Sequence, residues 1–136
     1  MAARMDQRGS ITVWAAASLI GFIVAVGLGV DFAGHAGKQA EARAVAAQAA
    51  RSAGQQVVLG QGRLTLDAPR AHRAASNYLA AAGMSGTMRV TSPTSVTVTA
   101  TSRYDTMFLG IIGITSIPVE AEAAADLTSA IDGRPR

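Results

Sequence analysis

The sequence predicts an α+β fold: a long N-terminal helix followed by a small domain with one further helix and a sheet of about three strands. Three observations predict it. An uncharged, strongly apolar run of 22 residues spans positions 9–30. An alanine-rich segment follows with helical spacing of its apolar positions. Beyond residue 85 the apolar period changes from three or four to two, the change from helix to strand.

The 136 residues suffice for one domain. They are 49% hydrophobic but only 15% charged, against about 25% in an ordinary globular domain. Part of the chain is therefore expected outside water. Cysteine is absent, which excludes a disulfide scaffold, thiolate metal sites and a cysteine nucleophile. Alanine occurs 29 times, and 11 of the 12 basic residues are Arg.

The apolar run is the first element. As a helix it spans roughly 33 Å, against a hydrocarbon core of about 30 Å. Its centre, residues 19–26, has no polar side chain, and Trp14 sits near the start, where an amphipathic ring meets headgroups. Residues 11–30 are expected to form a transmembrane helix. The alternative, a core helix, needs a body able to wrap it, and the remaining residues carry few large apolar side chains. Arg4 and Arg8 precede the run, so residues 1–10 are expected to be a cytoplasmic tail and the body extracytoplasmic. A cleaved secretory signal, cut after Ala36 with Gly34 as the second small residue, is the competing reading; its apolar region is ordinarily shorter, about 7–15 residues.

Within the run, Ala17, Gly21, Ala25, Gly29, Ala33 and Gly37 recur every four residues. Such a small-residue ridge lets a second membrane helix approach closely, whether another copy or a different membrane protein.

Residues 31–59 are expected to continue as an amphipathic helix. Ala33, Ala36, Ala40, Ala44, Ala47, Ala50, Ala53 and Val57 form the apolar face, opposite Lys38, Glu41, Gln48, Ser52 and Gln55. An alanine face packs closely on a sheet or helix but buries little area. Gly60-Gln61-Gly62 is expected to end it.

Residues 60–128 read as the α+β domain. Asp67 caps a helix with Pro69 in its first turn, Ala71, Ala75, Tyr78, Leu79 and Ala82 form its stripe, and Gly83 ends it. Met88 and Val90, then Val96, Val98 and Ala100, alternate with polar residues on either side of Ser92-Pro93-Thr94, which predicts a hairpin. Asp105 is placed as the cap of a short apolar helix through Met107, Phe108, Leu109, Ile111 and Ile112. Ile117, Val119, Ala121, Ala123 and Ala125 define a third strand, with Pro118, Glu120 and Glu122 facing out as suits an edge. Residues 129–136 are expected to be a flexible tail.

Catalytic motifs are sparse. His35 has Asp31 four residues before it, an arrangement that reads as a local ion pair rather than a metal site. His72 stands alone, no serine lies in a Gly-x-Ser-x-Gly turn, and no glycine-rich phosphate loop follows a strand. Glu120 and Glu122 share a strand face, ordinarily a solvated one. Arg43, Arg51, Arg63, Arg70, Arg73, Arg89 and Arg103 are dispersed and lack interleaved aromatics. They suit anionic lipid heads or wall polymers better than nucleic acid. No enzymatic activity, cofactor, metal or small-molecule substrate is expected.

Arg8-Gly9-Ser10-Ile11-Thr12-Val13, the apolar run, Val30-Asp31-Phe32 and the Ala/Gln/Arg segment together resemble the N-terminus of TadE/TadG-like proteins of tight-adherence (Flp-type, type IV-related) pilus systems, in their actinobacterial form. The resemblance is strongest over residues 4–53. It implies a pilin-like fold and a non-enzymatic pilus assembly component whose membrane helix meets other secretion-system proteins. It also implies Gly9 and Ser10 as a possible peptidase processing site. Here the pattern departs from the family: a cut after Gly9 would make Trp14 the fifth residue, where pilins carry Glu. That departure favours a membrane-retained assembly factor over a polymerising subunit. Two alternatives stand beside it: a cleaved or anchored surface-binding module unrelated to pili, and a cryptic hydrolase or enzyme accessory.

Overall fold

A computed structural model of the chain describes residues 8–60 and 62–126, with side chains from residue 11 onward. Of the expected tail at 1–10, residues 1–7 lie outside the described residues, while residues 8–10 belong to the first helix rather than to a tail. The expected tail at 129–136 lies outside the described residues. The fold is α+β, as the sequence predicts. The first helix, α1 (Arg8–Gly54), is 47 residues long. It is followed by β1 (Val57–Gly60), β2 (Arg63–Leu66), α2 (Ala68–Ala81), β3 (Ser85–Ser92), β4 (Ser95–Asp105), a 3-10 turn (Leu109–Ile112) and β5 (Ser116–Asp126).

The apolar run and the alanine-rich segment are one continuous helix. Gly34 and Gly37 do not break it, because a long helix with no proline absorbs isolated glycines at about 1 kcal/mol each. The N-terminal part of α1 is long and apolar enough to cross a membrane, and only 6% of its most apolar 18-residue window is buried by the rest of the chain. Ile11, Trp14 and Phe22 stand 76%, 72% and 67% exposed. A soluble core helix would hide such side chains, so this one is a candidate membrane span.

The helix ends at Gly54 rather than near residue 59. Val57, assigned above to its apolar face, starts instead an antiparallel hairpin with β2, in which Val57 pairs with Leu66 and Gly60 with Arg63. The reason lies in the chain itself: Val57, Val58 and Leu59 favour strand, and Gly62 takes φ +77, which allows the tight reversal.

The alanine face also differs from the expected one. Ala50 and Ala53 are buried as expected and Ala47 is half-buried, but Ala33, Ala36, Ala40 and Ala44 are exposed; Ala42, Ala46 and Ala49 complete the buried face instead. Alanine lies on every side of this helix, so its spacing alone does not select a face. Packing does: α1 lies across β4 and β5, with α2 beside it. Alanine supplies nine of the fourteen buried apolar residues among those described, so the layers approach closely over a thin core.

The second helix forms as its local signals dictate. The Asp67 side chain accepts from the Arg70 amide at 3.1 Å, with a proline in the first turn. At the other end the Met84 amide donates to the Leu79 carbonyl at 2.9 Å while Gly83 takes φ +69, a Schellman closure. Ala71, Ala75 and Leu79 are buried as expected, while Tyr78 is exposed.

The three-stranded sheet is antiparallel in the order β3-β4-β5. Val96, Val98 and Ala100 of β4 face the helices, paired with Ala125, Ala123 and Ala121 of β5. Thr97, Thr99, Glu120 and Glu122 occupy the opposite face. Pro118 sits on β5, an edge strand, where a missing N–H is tolerated.

Candidate functional site: the Asp31 clamp

Asp31 follows directly on the apolar run of α1 and is 1% exposed, the only buried charged side chain among the described residues. Its carboxylate is filled by backbone donors from the β4–β5 connection. The Met107 amide donates to Oδ1 at 2.7 Å, and the amides of Phe108 and Leu109 donate to Oδ2 at 2.9 and 2.7 Å. The Tyr104 hydroxyl approaches Oδ1 at 3.5 Å. Burying a carboxylate is costly unless its lone pairs are met, and here successive N–H groups at the start of a 3-10 turn meet them, as a capping residue would.

The cap therefore comes from α1, 76 to 78 residues away in sequence. Asp105, expected to cap this turn, does not: the N-cap position is Phe108, and no side chain of its own segment bonds there. The segment is also a single 3-10 turn, closed by Gly113 at φ +92, since Gly110 and Gly113 leave too few helix formers for an α-helix.

Two glycines permit the approach. A Cβ on Gly27 would fall on the Phe108 ring, and a Cβ on Gly34 would fall on the Tyr104 phenol. Gly27, Asp31 and Gly34 are spaced by four and three, so they share one face of α1. Burial raises the Tyr104 phenol above its ordinary pKa, and the adjacent Asp31 charge and hydrogen bond raise it further. The phenol thus stays a neutral donor. The His35 ring stands edge-on to Tyr104 with centroids 6.4 Å apart, so His35 lines this cluster through Tyr104 and its expected ion pair with Asp31 does not form. Asp31 spends its oxygens on the loop.

The other residues singled out by sequence lie elsewhere. Gly9 and Ser10 fall in the first turn of α1. Ala17, Ala25, Ala33 and Gly37 are exposed, and a Cβ at Gly21, Gly29 or Gly37 would meet nothing within 4 Å. The ridge is thus uncovered by the described residues. His72 is on the exposed side of α2, and Glu120 and Glu122 are exposed on β5. Among the described residues no three His, Asp or Glu side chains gather as a metal site would require.

The clamp residues Gly27, Gly34, Tyr104 and the amides of 107–109 escaped the sequence reading. One signal was present: a single acid bordering a long uncharged run, flanked at helical spacing by two glycines outside the four-residue ridge. Compared with family models, curated proteins and solved structures, the chain matches none.

Proposed function

We propose that this protein is a non-enzymatic, single-pass membrane component of a tight-adherence (Flp-type) pilus assembly system, TadE/TadG-like and retained in the membrane. In this reading the N-terminus is cytoplasmic, as Arg4 and Arg8 favour, and the α+β domain is extracytoplasmic. The observation that carries the reading is the pairing of an uncovered small-residue ridge, centred on Gly21 and Gly29, with a clamp that ties the same helix to the outer domain. Such a part transmits position: a partner helix seated on the ridge, a second copy or another secretion-system protein, sets where the domain stands.

The clamp also tells against the cleaved-signal alternative. A cut after Ala36 would remove Gly27, Asp31 and Gly34, leaving three amides and Tyr104 without their acceptor.

Deletion of the gene in its host tests the proposal. Loss of surface fibres, restored by the wild-type chain but not by Gly21→Leu, is expected. Undiminished fibres with impaired binding to a surface ligand would support the binding-module alternative instead. Mass spectrometry of the purified N-terminus tests retention: a chain beginning at Ser10 would favour a processed, filament-forming subunit.

A further inference from the structure

The β4–β5 connection, residues 106–115, is the most apolar exposed part of the domain. Ile111 is 80% exposed, Ile112 72%, Met107 71% and Ile114 47%. No charge occurs from residue 106 to 119. Exposed apolar clusters of this kind mark a partner or a membrane, and three observations select the membrane.

The first is position. The Phe108 ring packs on Gly27, four residues before Asp31. At 1.5 Å per residue this contact lies about 6 Å back along the apolar run, inside the segment that the candidate span places in lipid. The second is continuity: Val30 and Phe32, the chain neighbours of Asp31, and Val26, the neighbour of Gly27, are exposed apolar side chains, so the loop is tied to a stretch of α1 that is itself apolar and uncovered.

The third is backbone satisfaction. Segments immersed in lipid must pair their own polar groups. Asp31 takes the amides of 107, 108 and 109. Thr106 donates its amide to the Thr115 carbonyl at 3.0 Å and its hydroxyl to the Ile114 carbonyl. The amides of Ile111, Gly113 and Ile114 donate to the carbonyls of Phe108, Gly110 and Leu109. A merely solvated loop has no need of this closure, because water supplies the partners.

We propose that residues 106–115 form a second membrane contact, with Met107, Ile111, Ile112 and Ile114 seated at the headgroup–acyl boundary of the leaflet from which α1 emerges. The occupant of this apolar surface is lipid. The proposal depends on α1 spanning a bilayer. The domain is then held at two points, its helix and its loop, which fixes its tilt on the membrane.

The chain has no cysteine, so single-cysteine variants label cleanly. Full-length Ile111→Cys, Ile112→Cys, Phe22→Cys and Arg89→Cys carry an environment-sensitive fluorophore in phosphatidylcholine/phosphatidylglycerol vesicles. Quenching is read with aqueous iodide and with spin-labelled lipid. Phe22 and Arg89 are exposed positions on the span and on β3. Labels at 111 and 112 are expected to be quenched several-fold more by shallow spin-labelled lipid than the label at 89, and shielded from iodide. Iodide quenching equal to that at 89 overturns the proposal. Shielding from both quenchers also overturns it, since protein would then cover the loop. Absence of lipid quenching at Phe22 overturns the span itself, a failure distinguishable from failure of the loop alone.

Discussion

The Asp31 carboxylate accepts a 2.7 Å hydrogen bond from the Leu109 amide across 78 residues of chain. One end of that bond is on the helix that carries the candidate span, and the other is in the connection between two strands of the sheet. A helix emerging from an apolar run is ordinarily free to pivot against the domain it carries. Here the junction has a three-donor cap, two glycine contacts and an aromatic pair, which together tie the helix to the β4–β5 connection.

The glycines of α1 divide into two kinds, and substitution separates them. Gly27→Val would drive Phe108 off the helix, while Gly29→Val meets open space. Overpacking of this sort costs about 1–3 kcal/mol. Thermal denaturation in detergent micelles should show a lower Tm for Gly27→Val and a nearly unchanged one for Gly29→Val.

The buried register of α1 gives a second contrast. Ala46 is fully buried and Ala44 is exposed. Ala46→Leu is expected to destabilise by about 1–3 kcal/mol because the thin core has no room for it. Ala44→Leu should stay within about 0.5 kcal/mol of wild type. Chemical denaturation of both variants checks this, and equal effects would restore the face read from sequence.

Loss of the Asp67 cap should weaken α2 alone. Asp67→Ala removes the bond to the Arg70 amide and the ion pair with the Arg70 side chain at 3.2 Å. The expected cost is about 1 kcal/mol, readable by circular dichroism during denaturation, with no effect on helix association in the membrane.

The ridge predicts the reverse. Gly21→Leu leaves the fold intact, because none of the described residues meets a Cβ at that position, but places bulk where a partner helix would approach. Cross-linking in membranes is expected to lose the oligomer or heteromeric product. An unchanged pattern would remove the ridge from the account.

Much of the fold was legible because its causes are local. The apolar run, the Asp67 cap with Pro69, the Gly83 stop and the alternation through Val96, Val98 and Val119 each act within a few residues, and each element formed where these signals put it. The clamp was not legible, because Asp31 and the amides of 107–109 meet only once β4 and β5 have brought the connection back to α1. Asp105 stood one residue before that connection and looked like its cap by proximity, yet the cap came from another element. The helix face was obscured for a different reason: with alanine at 40, 42, 44, 46, 47, 49 and 50, several stripes satisfy the helical period equally. The β1–β2 hairpin was hidden by its length of four residues per strand, too short for alternation to stand out from a fraying helix end.

Amide hydrogen exchange at Met107, Phe108 and Leu109, in the full chain reconstituted in a bilayer, tests the clamp most directly. In the wild type these amides should be among the slow exchangers of the domain although they lie in a connection. Asp31→Asn, which keeps the shape but loses the charge and one acceptor oxygen, is expected to speed their exchange by about an order of magnitude or more, while the β4 amides at Val96 and Val98 stay protected. Equal exchange in the two proteins at 107–109 would contradict the account, because Asp31 would then hold nothing that the fold needs.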